Sequence, residues 1–295
     1  DGIRDFCLSR GLGDVYKRQV LNNLRKPEWT TPSITNWRGL GNYEYVLYKS
    51  KDFWFAVQNS LFIVGSIIIL TVIFGLAISI LINRTFPGRG IVRVLLISPF
   101  FVMPSVNAVL WINMILDPVL GLNGLAIEGL NQILKDLQDL PLLGRFFSLW
   151  PVFEPISFRA TQTSSYAVII MVTWQWTPFA VLIFMTSLQS EDQQQIEAAI
   201  LDGANAWSRF INLTIPHLAR PISIVIMIQA IFHLSLYAEI EIVSRGNGNK
   251  NLPYLIGEFS SNNIGAASAT GVFAVILANI VAIFLLRIVG KSLME

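Results

Sequence analysis

Long stretches without charge constrain this chain most. Residues 53–83, for example, contain no Asp, Glu, Lys or Arg. A helix needs about 20 apolar residues to cross about 30 Å of hydrocarbon, and no other open backbone structure is stable there. Hydrophobic residues make up 53% of the chain and charged ones only 14%, against about 25% charged in soluble domains. The sequence predicts an all-α membrane protein with five visible transmembrane helices, at residues 56–82, 94–116, 165–188, 221–240 and 268–289.

Composition also excludes several function classes. The net charge is only +2, so nothing indicates nucleic acid as a partner. The single cysteine, Cys7, and the two histidines, His217 and His233, argue against a disulfide framework and against a metal site. No Gly-x-x-x-x-Gly-Lys-Ser/Thr run occurs, so the chain is expected to bind no nucleotide of its own.

The basic connection "NRTFPGRGIVR" sets the orientation. It carries Arg84, Arg89 and Arg93 without an acid, and the positive-inside rule places such a short connection in the cytoplasm. Alternation then predicts that residues 117–164 and 241–267 lie outside and that the C-terminal end lies inside.

Residues 1–55, before the first visible span, do not follow the positive-inside rule: they are basic, yet alternation places them outside. Residues 1–19 resemble translated sequencing-adapter text and are interpreted as a non-native leader. Residues 20–55 are interpreted as an extracytoplasmic lead-in, and residues 56–293 as a transmembrane domain with a cytoplasmic loop at 190–220. We expect that a native first span precedes the five visible ones; the alternative is a five-span protein with a basic external tail.

The cytoplasmic segment 190–220 is predicted to be helical from its start. Ser190 and Gln193 have the spacing of a capping box. Gly203 permits a bend or a close backbone approach, Pro216 is predicted to end the run, and Pro221 to open the next span. Apolar residues recur every three or four positions, as on one helical face: Ile196, Ala199, Ile200, Gly203, Trp207, Phe210, Ile211 and Ile215.

Two interpretations of this segment compete. An amphipathic helix between spans can simply lie on the lipid surface. This one is net acidic, with Glu191, Asp192, Glu197 and Asp202 against two arginines, whereas lipid-surface helices are usually basic. An Ala/Gly-rich core suits close packing on protein, so a docking helix for a cytoplasmic partner is the better interpretation.

The words "EAAILDGANAWSRFINLTIPHL" resemble the Glu-Ala-Ala loop of ABC-importer permeases. The similarity to the maltose-type sugar permeases extends over residues 37–293, and "PHLARPISIVIMIQAIFHLSLYAEI" is closest to the sugar-alcohol (mannitol and sorbitol) branch. Two departures are the external turn "SRGNGNKN" and a longer insert before residue 159. The matching loop positions are Glu197, Ala198, Ala199, Asp202, Gly203, Ala204, Ile215 and Pro216.

This resemblance implies a type I ABC importer permease fold, with six spans in the native form, in a bacterial inner membrane. It implies a second permease subunit, two ABC ATPase subunits that bind ATP and Mg, and an extracytoplasmic solute-binding protein. The chain itself would be no enzyme and hold no cofactor. Its cytoplasmic loop would be the coupling helix that docks on the ATPase.

Polar side chains within the spans are candidates for the substrate path. Amides and hydroxyls suit a neutral polyol such as sorbitol or mannitol, and hydrogen bonding between helices is the equally weighted alternative. The candidates are Asn107, Gln175, His233, Tyr237 and Asn279.

Three other functions remain as alternatives. A disaccharide or glycerol phosphate permease would share the family, although a phosphate ester favours Arg or Lys in the path. An ion-coupled carrier needs ionisable groups at membrane depth, and the predicted spans hold such acids and bases only at their edges, Glu239 and Arg287. A membrane enzyme needs a convergent cluster of reactive groups, which two distant histidines do not supply.

Overall fold

The computed structural model describes residues 40–84, 86–138 and 152–294, and the described residues form helices without a strand. The proposed leader at 1–19 and most of the lead-in lie outside these residues. The helices are α1 (Gly41–Glu44), α2 (Lys51–Asn83), α3 (Arg89–Ile97), α4 (Pro104–Leu110), α5 (Leu122–Gln138), α6 (Ser164–Gln189), α7 (Gln193–Leu201), α8 (Ala206–Arg209), α9 (Ile215–His233), α10 (Ala238–Ser244), α11 (Leu252–Asn262) and α12 (Ile264–Met294).

Four stretches of helix are long and apolar enough to cross a membrane, and one bent pair can make a fifth span. Helices α2 and α6 confirm the predicted spans 56–82 and 165–188 to within a few residues. The apolar part of α12, Ile264–Phe284, overlaps the predicted span 268–289. With 33 residues, α2 is about 50 Å long, well beyond the hydrocarbon thickness.

The predicted span 94–116 is not one continuous helix. Helix Arg89–Phe101 and helix Pro104–Ile115 are bent by 101° relative to one another. Val102 and Met103 are extended (ψ 131° and 139°), because a proline excludes the α conformation from the residue before it and Pro104 has no N–H to donate. The apolar stretch is therefore a bent helix pair, which makes the fifth span if its two halves cross the membrane together.

The predicted span 221–240 is also shifted. Its helix runs through Ala206–His233, and residues 234–237 separate it from α10. Pro216 does not end the preceding run, because the helix continues from α8 through the π-helical turn Phe210–Thr214 into the first turn of α9, where Pro216 lies. Pro221 lies inside α9 rather than opening it.

By contact density the chain divides into two units, and each is described separately. Unit 1 comprises residues up to Ile68, Thr186–Tyr237 and Lys250 onward. Its apolar core lies where α2, α11 and α12 meet, around Val46, Phe53, Ala56, Leu252, Leu255, Ala266 and Ala269. The Phe53 ring packs on Phe273 with 5.2 Å between centroids.

Polar contacts fasten the segment after residue 249 to α2 within unit 1. Lys250 Nζ lies 2.9 Å from Asp52 and 2.8 Å from Glu258. The Asn59 amide donates to the Lys250 carbonyl (3.0 Å), and the Leu252 N–H donates to Ser60 (3.0 Å). All of these contacts except that of Lys250 with Glu258 join residues nearly 200 positions apart in the chain, so the N-terminal end of α2 is held by tertiary structure.

Unit 2 comprises residues Ile69–Met185 and Ala238–Asn249. Here α2 packs closely on α6, since a Cβ at Gly75 would lie 2.7 Å from that of Ala180. The Phe100 ring, next to the break in the second span, stacks on Phe179 (5.7 Å) and meets Trp176 edge to face (5.5 Å). These aromatic contacts bind the broken span to α6.

Candidate functional site

The segment 190–220, predicted to be cytoplasmic, consists of two short helices joined by a tight turn, rather than one continuous helix. Helix α7 begins at Asp192, whose side chain accepts the Gln194 N–H (2.9 Å). The predicted capping box is therefore wrong: Ser190 Oγ donates back to the Ser187 carbonyl (2.8 Å). Asp192 caps instead, because a carboxylate two residues closer to the helix reaches the free N–H groups.

Gly203 makes the turn between α7 and α8. Its φ is +80°, a left-handed conformation that L side chains rarely adopt. The Gly203 N–H donates to the Ile200 carbonyl (3.0 Å), and the Ala204 N–H to the Ala199 carbonyl (2.9 Å). This pair of bonds is the Schellman motif that closes a helix at glycine, and it explains why the sequence has Gly after Asp202.

Further bonds fix the second half of the segment. Asn205 caps α8 by accepting the Ser208 N–H (2.8 Å), and Arg209 donates to the Ala204 carbonyl (2.7 Å). Thr214 donates to Glu191 (2.9 Å), so the start and the end of the segment are tied together. The turn is thus held on both sides by local hydrogen bonds.

The outer face of the segment combines exposed acids with exposed apolar side chains. Glu197, Ala198, Asp202 and Gly203 are exposed, whereas Ala199 and Ala204 are half-buried. Leu201 is 88% exposed and Trp207 is 68% exposed. Exposed apolar patches mark surfaces that bind a partner. Ile215 and exposed Pro216 continue into α9. This face can bind an apolar cleft bordered by cations.

Asn107 and Gln175, two of the substrate-path candidates, are brought together in unit 2. The Asn107 amide donates to Gln175 Oε1 (3.0 Å) and to the Met171 carbonyl (3.2 Å). Gln175 Nε2 in turn donates to the Val102 carbonyl, which is the backbone group freed by the break before Pro104. Both side chains are buried, and their contacts are those of the interhelical alternative.

The other three candidates lie in unit 1. His233 is buried at the end of α9, and Tyr237 is 43% exposed and stacks on Tyr254 (5.9 Å between centroids). Asn279 is exposed on α12 and donates to the Val275 carbonyl of its own helix (2.8 Å).

Gln229 is a residue that sequence reasoning missed. It lies one turn before His233 on α9 and is fully buried. Neither its amide nitrogen nor its amide oxygen has a hydrogen-bond partner in the described part of the chain. An amide and an imidazole four residues apart in an apolar helix are on one face, which is the signal that could have identified the pair.

Glu239, which the sequence places at the edge of a predicted span, is buried in the structure. It lies in α10, outside the spans, and is only 5% exposed. Burial raises the pKa of its carboxyl, and its own backbone N–H offsets part of that effect. Elsewhere, no three His, Cys, Asp or Glu side chains of the described residues are grouped as metal ligands.

Comparison with known proteins gives one family. Residues 46–295 match the model of the "Binding-protein-dependent transport system inner membrane component" family. A probable ABC transporter permease protein, y4oQ of Sinorhizobium fredii, is 34% identical over 66% of this chain and 55% of its own length. The trehalose transport system permease protein SugA of Mycobacterium tuberculosis is 23% identical over 92% of this chain and 80% of its own length.

A solved structure has the same fold. It is a bacterial ABC transporter involved in the import of the acidic polysaccharide alginate, with a TM-score of 0.71 at 17% identity, covering 98% of this chain and 93% of the matched one. At this identity the likeness concerns the fold alone.

Proposed function

Because the chain belongs to the family of binding-protein-dependent transport system inner membrane components, we propose that it is the permease subunit of an ATP-driven ABC importer for carbohydrates. The protein is a multi-pass inner-membrane transport component and not an enzyme. In the assembly that we propose, it pairs with a second permease, two ABC ATPase subunits and an extracytoplasmic solute-binding protein.

The exposed face of the cytoplasmic segment supports this proposal most directly. Leu201 and Trp207 stand out on either side of the turn at Gly203, and Glu197 and Asp202 are exposed beside them. A rigid turn with apolar anchors and acids suits insertion into a cleft of a cytoplasmic protein. The segment is therefore the coupling helix, and Glu197 contributes its charge to docking.

We assign the solute to the carbohydrates and propose a sugar alcohol, sorbitol or mannitol. The relatives are named for other solutes: trehalose in the mycobacterial protein, trehalose and maltose in a Thermococcus litoralis permease that is 26% identical over 77% of this chain. The buried polar pair Gln229 and His233 on α9 is our preferred contact for solute hydroxyls. Amide and imidazole groups can both donate and accept hydrogen bonds from a neutral polyol.

Vesicle uptake of labelled solute by the reconstituted assembly tests the proposal. Sorbitol, mannitol, maltose and trehalose are compared with and without ATP on the ATPase side. We expect uptake of a polyol only with ATP. ATP-dependent uptake of a disaccharide alone would keep the transport class and overturn the solute, and uptake that follows an ion gradient without ATP would overturn the proposed function.

Glu197→Lys tests the docking role. We expect the ATPase to be lost from the purified assembly and uptake to fall about ten-fold or more, because a like charge placed at a complementary interface is repelled. Glu128→Lys makes the same charge change at an exposed position of α5 and serves as control. Normal ATPase attachment in Glu197→Lys would show that this loop does not dock as proposed.

A further inference from the structure

Helix α3, at the start of the broken span, has two sharply different faces. Arg89 and Arg93 lie one turn apart and are half-buried. On the opposite face Ile91 is 68% exposed, Val94 is 70% exposed and Leu95 is 66% exposed. The apolar side thus looks outward, as expected of a surface in contact with lipid, while the guanidinium groups lie on the inner side.

Three guanidinium nitrogens of Arg89 and Arg93 lack hydrogen-bond acceptors among the described residues. Arg93 Nε and Nη2 and Arg89 Nε are buried without a hydrogen-bond partner among the described residues. Arg89 Nη2 makes one long bond, 3.4 Å, to Asn83 Oδ1. A buried donor on a charged group is costly to leave unmatched, and more so when no counter-charge is near.

The surrounding chain provides no counter-charge in sequence. No Asp or Glu occurs between Asp52 and Asp117. Among the described residues, neither Arg89 nor Arg93 takes part in an ion pair of the kind that Lys250 makes with Asp52 and Glu258. An anion from outside this segment would supply the two arginines with hydrogen-bond acceptors and a counter-charge.

The position of α3 indicates which anion. The segment 83–93 carries three arginines and is cytoplasmic by the charge rule, where the membrane surface is negative. Helix α3 is bent by 101° from the helix that follows, so it leaves the line of the second half of the span. Acyl chains can cover Ile91, Val94 and Leu95, which brings a headgroup phosphate to the level of the arginines. Two guanidinium forks one turn apart suit phosphate oxygens.

We propose that Arg89 and Arg93, with Asn83 and the exposed Arg84 beside them, form a binding site for the phosphate of an anionic phospholipid of the cytoplasmic leaflet. The site shares no residue with the coupling segment or with the polar pair of α9. It would anchor the inner end of the broken span against the membrane surface while the rest of the permease moves.

Lipid binding to the full-length chain tests this site directly. The purified chain is titrated with phosphatidylglycerol and with phosphatidylcholine, and bound lipid is counted by native mass spectrometry. We expect phosphatidylglycerol to bind about 30-fold more tightly, as two arginine contacts near the surface provide, with the preference falling as salt rises. Equal binding of the two lipids would overturn the proposal.

Photocrosslinking locates the site without any substitution. A phosphatidylglycerol analogue with a photoreactive group next to the headgroup is bound to wild-type chain, and labelled peptides are mapped. We expect label within residues 83–97. Label confined to other parts of the chain would overturn the assignment.

Paired substitutions complete the test. R89Q/R93Q should lose the preference for phosphatidylglycerol, whereas the control R159Q/K135Q, which removes two charges from the predicted external side, should retain it. Unchanged lipid preference in R89Q/R93Q would contradict the proposal. So would loss of the ATPase from R89Q/R93Q without a change in lipid preference, because the arginines would then bind a protein partner.

Discussion

At the scale of single residues, Gly203 shows how backbone geometry fixes a side-chain choice. Nothing lies within 4 Å of a Cβ built there, so space does not demand glycine. The φ of +80° does, because the left-handed conformation costs other residues about 1–2 kcal/mol. The Asp-Gly-Ala sequence of the loop is thus the one that forms a Schellman motif at the end of α7.

Gly203→Ala should therefore weaken attachment of the ATPase about five-fold, the equivalent of about 1 kcal/mol. The affinity of the purified permease for its ATPase measures this. Gly129→Ala in α5, where a Cβ also meets nothing and the φ is not positive, is the matched control. Equal affinities of Gly203→Ala and wild type would show that the turn is not needed for docking.

Lys250 illustrates a second residue effect, which depends on pH. Partial burial disfavours its charged form, but the hydrogen bonds and charges of Glu258 and Asp52 outweigh burial and raise the pKa of Lys250 above the ordinary 10.5. A raised folded-state pKa means that the stabilisation is complete below pH 10.5 and is lost as pH rises through the folded-state value.

Lys250→Met should lower the free energy of unfolding at pH 7–8 by about 1 kcal/mol, since both partners are partly exposed and solvent screens their charges. The difference in Tm between variant and wild type should shrink above about pH 10.5. Lys49→Met removes a longer, exposed pair with Glu44 (3.6 Å) and should change Tm little. A pH-independent difference would show that the Lys250 effect is packing and not charge.

At the scale of elements, the break in the second span is the main feature. Pro104 and the residue pair before it end one helix and begin the next at 101°. The carbonyl of Val102 that the break leaves free is bound by Gln175 from α6. The broken element thus depends on a polar side chain from its neighbour, as backbone groups at membrane depth require.

Gln175→Leu should destabilise unit 2 by about 1 kcal/mol, typical of a hydrogen bond between membrane helices. It removes the donor to Val102 and the acceptor for Asn107. Thermal unfolding of the purified chain, with exposed Gln132→Leu as control, measures the effect. An unchanged Tm with lowered solute uptake would instead place Gln175 in the substrate path.

At the scale of the whole molecule, docking and solute contact should be separable. Gln229→Leu replaces an amide without a hydrogen-bond partner in the described chain, so folding should be unaffected or improved. Uptake should fall about ten-fold through a lost hydrogen bond to the solute, with ATPase attachment unchanged. Glu197→Lys should instead lower uptake by removing the ATPase from the assembly. Lowered ATPase attachment in Gln229→Leu would show that this substitution disturbs the structure of the permease and does not simply remove a contact with the solute.

The sequence by itself determined the membrane class, the positions of two spans, the family and the candidate coupling loop. These properties depend on composition and on short-range patterns, which any chain carries in its primary structure: uninterrupted apolar length for α2 and α6, and local words for the Glu-Ala-Ala loop. The sequence also contained the signals for the break at Pro104 and for Asp192 as a helix cap. Apolar periodicity alone did not predict either feature.

Only the tertiary structure decided what the polar residues contact. The sequence is equally consistent with Asn107 and Gln175 as path residues or as links between helices, and the structure shows them bonded to each other and to the Met171 and Val102 carbonyls. The burial of Gln229 and Glu239 and the unmatched nitrogens of Arg93 likewise depend on neighbours distant in the chain. Contacts between helices are set by packing in three dimensions, and no local pattern of residues specifies them.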